Sequence, residues 1–354
     1  MSQRDFIDLI SGQQRGAGAA LKRAFLRLAS WPFALGAVTR LGLYRCGLLR
    51  RHQPELPVIC VGNLTTGGTG KTPAVAWVVQ ALQQAGRQPA IVSRGYKASA
   101  SGNDEQRVLE ELCPGVLHVQ NPDRVQGAAS AKQQGADVVV LDDGFSHVRL
   151  ARNLDILLFD ALNPFGFGRM LPRGLLREPI RNVRRARFAI FTRADVATPQ
   201  RLRDLEDTIR CKGFVGGIAH AAHVPSTLVD LATGRELPPA DLAGKIVAPF
   251  CGIGNPVGFQ RTLEKLGAVI SGMGLLRLDD HAHVAGREFE RQVMPFLDAA
   301  KEQGAKLGLC TQKDAVKLRA NLPRTSLPIL ELRVKFTILQ GEDALKAALG
   351  AALQ

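Results

Sequence analysis

From residue 56 onward, short apolar runs alternate with longer stretches in which apolar residues recur every three or four positions. The runs Leu56–Gly62, Pro89–Ser93, Ala136–Leu141, Asn153–Asp160 and Arg187–Thr192 are near-continuously hydrophobic and of strand length. Between them, Thr72–Ala85 and Asp123–Gln134 carry helical periodicity, with Pro73 in the first turn, where the missing N–H costs nothing. Strands without polar alternation, separated by helices, predict a mostly parallel sheet covered on both faces. A second set follows residue 225: strands at Gly244–Gly252, Lys306–Cys310 and Leu327–Lys335, and helices at Pro256–Leu266 and Glu342–Leu353. The polar run ending at Pro238–Pro239 reads as a linker. The pattern predicts three parts: residues 1–55, a larger α/β domain over 56–225, and a smaller C-terminal α/β domain over 226–354. No internal repeat or low-complexity segment is visible.

Residues 21–50 break the pattern. They are rich in Leu, Phe and Trp, but Arg27, Arg40 and Arg45 interrupt them, and Leu28–Thr39 is the longest uncharged stretch. A spanning helix needs about 20 apolar residues, so this segment does not cross a bilayer. It reads as an amphipathic helix that either lies in a membrane interface with its bases toward anionic head groups or packs on the protein's own core. Pro32 kinks or splits it. Charge reinforces the first option. Residues 1–52 and residues 169–193 each carry a net charge of +7, which together account for the whole +14 of the chain. A localised basic patch implies a localised anionic partner: nucleic acid, a membrane surface or a phosphorylated substrate. The six cysteines show neither C-x-x-C pairing nor zinc spacing, and are read as reduced, mostly buried thiols.

The strongest chemical signal is the loop Thr65, Thr66, Gly67, Gly68, Thr69, Gly70, Lys71, Thr72, placed after a strand and before a helix. That context turns a glycine-rich loop into a phosphate cradle. Backbone N–H groups and the helix N-terminus face the phosphates, Lys71 neutralises the terminal ones, and the Thr72 hydroxyl ligates Mg²⁺. Thr65 stands where the strict motif has glycine. The run Val138–Asp143 supplies an apolar strand ending in two carboxylates, Asp142 and Asp143, of which one faces the metal and the other the backbone. Thr192-Arg193-Ala194-Asp195 lacks the Asn-Lys of a guanine-reading element, which favours ATP as the nucleotide.

Further stretches occur in a fixed order: Gly62-Asn63-Leu64, Ser93-Arg94-Gly95-Tyr96, Asp142–Leu150, Leu171–Pro179, Phe250–Ile253, Asp280-His281 and Thr311–Leu318. Together they resemble the tetraacyldisaccharide 4′-kinases, which phosphorylate a disaccharide lipid A precursor in Gram-negative bacteria. The resemblance implies a P-loop domain and a smaller α/β domain with an active site between them, and an N-terminal helix on the cytoplasmic face of the inner membrane. It implies ATP and Mg²⁺ as cofactors, and as partners a lipid-linked disaccharide and the anionic membrane surface. A peripheral monomer follows. It also implies residue roles. Asp104, in Asn103-Asp104-Glu105-Gln106 where the family has Gly-Asp-Glu-Pro, is the base for the sugar hydroxyl, and His281 is its partner. Arg124 stabilises transferring charge, His147 contacts phosphate or orients the carboxylates, and Arg177-Glu178 lies near the nucleotide. Ser146 replaces a family glutamine.

Two other functions compete. A membrane-attached regulatory switch ATPase carries a second lysine early in the loop, where this chain has Thr66. A nucleic-acid NTPase fits the pI of 10.0, but the bases are not interleaved with aromatics, and no nucleic acid is expected as a partner.

Overall fold

The computed structural model describes residues 3–95, 104–253, 256–278, 289–319 and 322–354. It divides into two compact units: residues 1–101, 109–222 and 336–354 form the first, and 102–108 with 223–335 the second.

The first unit opens with α1 (Gln3–Ser11) and α2 (Ala17–Arg45). The helix α2 runs unbroken through Pro32, so the expected split does not occur. A proline removes one hydrogen bond and strains one turn, which a helix of 29 residues absorbs. There follow β1 (Val58–Gly62), α3 (Lys71–Gln84), β2 (Pro89–Ser93), α4 (Asp104–Leu112), β3 (Leu117–Gln120), α5 (Arg124–Gln133), β4 (Val138–Asp142), β5 (Leu154–Asp160), β6 (Phe188–Thr192), α6 (Pro199–Cys211) and β7 (Gly217–Asp230). The strand order is β7-β6-β5-β1-β4-β2-β3, paired in parallel. β1 lies between β4 and β5, so connections leave it in opposite directions, and the crevice beyond its C-terminal end is where such sheets bind ligands.

Alternate residues of each strand feed two cores. Ile59, Val61, Val140 and Ile156 pack against Val75, Val78 and Leu82 of α3. Val58, Cys60, Val139 and Leu157 face Leu205 and Ile209 of α6. Because both faces are covered, the strands need no polar side, which explains their continuous hydrophobicity.

The second unit holds the distal part of β7, with β8 (Glu236–Leu237), β9 (Ile246–Cys251), α7 (Pro256–Lys265), β10 (Val269–Ile270), β11 (Leu276–Arg277), α8 (Met294–Glu302), β12 (Leu307–Thr311), α9 (Gln312–Leu318) and the first part of β13 (Ile329–Gln340). β10, β9, β12 and β13 are parallel neighbours. The buried Asp314 of α9 accepts from the Gly252 N–H with both oxygens, at 3.1 and 3.2 Å, and fixes the turn after β9. The helix α10 (Glu342–Ala351) differs from expectation: Leu345, Leu349 and Ala352 pack against the α3 side of the first unit rather than closing the second.

Four cysteines are buried and Cys46 and Cys211 are exposed. Among the described residues no helix is long and apolar enough to cross a membrane.

Candidate functional site

The sequence turns sharply at the end of β1 because Gly62 lies under Phe145: a Cβ there would come within 2.8 Å of the Phe145 Cβ. Gly67 and Gly70 adopt φ of 114° and 81°, conformations that side-chain-bearing residues disfavour. The loop then enters α3 at Lys71, leaving the first-turn N–H groups pointing into the bend. Thr65 and Thr69 are buried, whereas Gly67 and Gly68 are exposed, so the rim is glycine and the threonines anchor it.

Asn63 is the hub. Its Nδ2 donates to Thr69 Oγ1 at 2.9 Å, and its Oδ1 accepts from Lys71 Nζ at 3.3 Å and from Arg177 Nη2 at 2.5 Å. Arg177 also grips Asp143 through two bonds of 2.6 and 2.7 Å. Asp143 itself has φ of 54°, unusual for a residue other than glycine, and its N–H donates to Val61 O at 2.9 Å. Burial pushes the Asp143 carboxyl up, but Lys71, Arg177 and Arg124 outweigh it and hold it below the ordinary range. Asp143 is therefore a carboxylate at neutral pH. Asp142 is buried at the end of β4, in register with Val61. Arg124 is also buried. Its Nη1 donates to Asn121 O at 3.2 Å, and Asp142 and Asp143 act on its charge.

A strap from 163 to 177 crosses the loop. Thr66 N–H donates to Leu175 O and Arg177 N–H to Leu64 O, each at 2.8 Å. On the other side, the Thr192 hydroxyl donates to Thr69 O at 3.0 Å and Arg193 Nη2 to Gly68 O at 2.9 Å, while Arg193 also pairs with Asp160.

Thus Lys71, Asp143, Arg124 and Arg177 are brought together, with Thr72 in the first turn of α3. Arg177 and Glu178 part company. Glu178 is buried and binds Asn182 Nδ2 at 2.8 Å and Arg185 Nη2 at 2.5 Å, so its carboxylate braces the segment behind Arg177. His147 follows the β4 turn. Burial first, then Arg124 and Arg40, lower its imidazole pKa to about 4, so it is neutral at pH 7. Asp104 begins α4, but its side chain is outside the described residues, as is all of His281. Asn63 and Arg193 were not singled out from sequence as site residues. Asn63 stood inside a quoted motif, whereas Arg193 looked like one of eight basic residues in its stretch.

The oxygen donors Thr72, Asp142 and Asp143 suit a hard cation such as Mg²⁺. Among the described residues no three His, Cys, Asp or Glu side chains form a metal cluster, and a magnesium held largely by phosphate and water needs none.

Comparison with known proteins points one way. The profile of the Tetraacyldisaccharide-1-P 4′-kinase family matches residues 22–354. A tetraacyldisaccharide 4′-kinase of Anaeromyxobacter sp. (strain K) is 39% identical over 96% of this chain and 93% of its own length. That of Geobacter sulfurreducens is 35% identical over 98% and 96%. A crystal structure of LpxK from Aquifex aeolicus in complex with ATP superposes with a TM-score of 0.70 at 26% identity, covering 94% of this chain and 99% of that one.

Proposed function

The chain belongs to the tetraacyldisaccharide-1-P 4′-kinase family, and from that premise we propose that it transfers the γ-phosphate of ATP to the 4′-hydroxyl of a tetraacyldisaccharide 1-phosphate, a lipid A precursor. The observation that carries this reading is the convergence of Lys71, Asn63, Arg177 and Asp143 on the glycine loop at the end of β1.

The loop N–H groups and Lys71 bind the β- and γ-phosphates, and Lys71 leaves Asn63 Oδ1 to do so. Thr72 and the Asp142–Asp143 pair hold Mg²⁺, which supplies charge neutralisation on the phosphates. Arg177 keeps Asp143 ionised and oriented. Arg124, half enclosed by the acidic end of β4, is placed to balance charge on the transferring group. Asp104, oriented by His281, accepts the hydroxyl proton while the sugar oxygen bonds to γ-phosphorus and the bond to the ADP oxygen breaks. Glu178 acts through Arg185 rather than on the nucleotide.

The protein works as a monomer on the cytoplasmic face of the inner membrane, held by α2. Leu21, Phe25, Leu28, Trp31 and Leu35 of that helix are 61 to 73% exposed, which suits burial in an anionic interface.

The test is transfer from γ-labelled ATP to the acceptor in detergent, with Lys71→Ala and Asp104→Ala alongside. Each variant is expected to lose roughly three orders of magnitude in rate. Transfer that survives Asp104→Ala removes the base assignment and keeps the kinase. A wild type that binds ATP without labelling the lipid points instead to the switch ATPase.

A further inference from the structure

Of the basic stretch 169–193, Arg177, Arg185 and Arg193 are neutralised by Asp143, Glu178 and Asp160. Arg169 and Arg173 are not, and they meet Arg23 and Arg27 of α2: after burial, these three arginines are what lower the Arg173 pKa. Among the described residues none of the four makes an ion pair with a carboxylate.

The four are held together by design of the backbone around them. Ser30 is 7% exposed; its hydroxyl lies 3.1 Å from Met170 O and accepts from the Arg173 N–H at 3.1 Å. Arg173 Nη1 donates to Ile10 O at 2.8 Å, and Arg23 Nη1 to Gln14 O at 2.7 Å. So α1, α2 and the turn at 169–173 are riveted at one point, and each rivet positions a guanidinium. Ser30 also sets the direction of α2. At about 100° per residue, Leu21 and Leu28 fall on the face opposite it, and both are exposed. Arg23 and Arg27 flank Ser30, between the outward apolar stripe and the protein body. Four clustered guanidiniums without a counter-charge are costly unless an anion joins them, and forked donors suit phosphate oxygens.

We propose that Arg23, Arg27, Arg169 and Arg173 form a binding site for a lipid-borne phosphate group, with the lipid's acyl chains along the exposed stripe of α2. The phosphate has two possible carriers: the acceptor, through its existing 1-phosphate, or the anionic lipids of the membrane. The first carrier rests on the function proposed above; the second does not.

The test uses the full chain with Arg27→Gln/Arg169→Gln, whose exposed side chains make no hydrogen bond among the described residues. The KM is measured for the tetraacyldisaccharide 1-phosphate and for the same lipid stripped of that phosphate. Flotation is measured with phosphatidylcholine vesicles, with and without phosphatidylglycerol. A KM raised about tenfold for the phosphorylated acceptor alone supports the site with the substrate as carrier. An unchanged KM with about tenfold weaker flotation on the anionic vesicles alone supports it with the bulk lipid as carrier. Arg→Lys at both positions restores part of either effect. The proposal is overturned if the variant matches wild type in every arm, or loses equally with and without phosphate. A wild type that phosphorylates neither acceptor sinks the kinase reading, and flotation still judges the arginines.

Discussion

At the phosphate loop, polar groups are buried and paired; along α2, apolar groups are exposed and arginines stand unpaired. Asn63, Thr65 and Thr69 are at most 4% exposed, and every contact that shapes the loop is a hydrogen bond to backbone or a charge-assisted bond. Trp31, by contrast, is 68% exposed and Phe25 69%. The two regions carry arginine for opposite reasons. Inside the loop network, Arg177 and Arg193 are structural cations whose anions are already in place, so the loop is preorganised before nucleotide arrives. Beside α2 the anions are missing from the chain, so the charge is available to something else. Equal net charge in two stretches of sequence therefore says nothing about equal use: what matters is whether the fold delivers a carboxylate.

The largest expected effect breaks the first region. Arg177→Ala leaves Asp143 in its positive-φ conformation without its bidentate partner and removes the shortest bond to Asn63. The pair is up to a third exposed, so the stability loss is about 2 kcal/mol rather than the larger figure for a fully buried pair. Phosphoryl transfer falls further, by roughly a hundredfold, because the carboxylate and Lys71 lose their common support. Thermal melting and labelled transfer, measured together, separate the two; a drop in melting with full activity would show that the network is only scaffolding.

The second region should respond in the reverse sense. Phe25→Ser/Trp31→Ser removes two exposed aromatics. Vesicle flotation is expected to weaken about thirtyfold, on the scale of about 2 kcal/mol of lost apolar burial. The melting temperature stays near that of wild type, since neither side chain packs in the described cores. If melting falls while flotation holds, α2 belongs to the core and the contrast between the regions collapses.

Much of this was legible in sequence. The P-loop stood out because its chemistry requires consecutive residues, and the strands of the first unit because burial on both faces erases polar alternation. The destination of α10 was not legible: its apolar face fits any uncovered sheet surface, and only the path of β13 decides that Leu345 meets the α3 side. The parting of Arg177 and Glu178 was hidden for a similar reason. Adjacent residues leave an extended backbone in opposite directions, and Asn182 and Arg185, which receive Glu178, lie in a turn with no sequence signal of pairing. Arg193 was read against a base-recognition pattern it fails, while its actual contact, Gly68 O, is backbone and leaves no mark in side-chain chemistry.

The smallest effect tests whether the preorganised region depends on a neutral imidazole. His147 has its pKa lowered to about 4, with burial the main cause and Arg124 next. An unfolded histidine titrates near 6.5. The folded state therefore binds fewer protons than the unfolded state between these values, so the stabilising contribution is complete above about pH 6.5 and is lost as pH falls toward 4. Because the ring is only partly enclosed, the loss is about 1–2 kcal/mol, smaller than the full shift implies. His147→Gln, which cannot charge, should flatten the pH dependence of unfolding in that window while leaving the stability at pH 7 close to wild type. Denaturant midpoints at pH 7, 6, 5 and about 4.5 read this directly. A variant whose acid profile parallels that of wild type would mean that His147 protonates without cost, and that the repulsion from Arg124 is relieved by solvent rather than fixed in the fold.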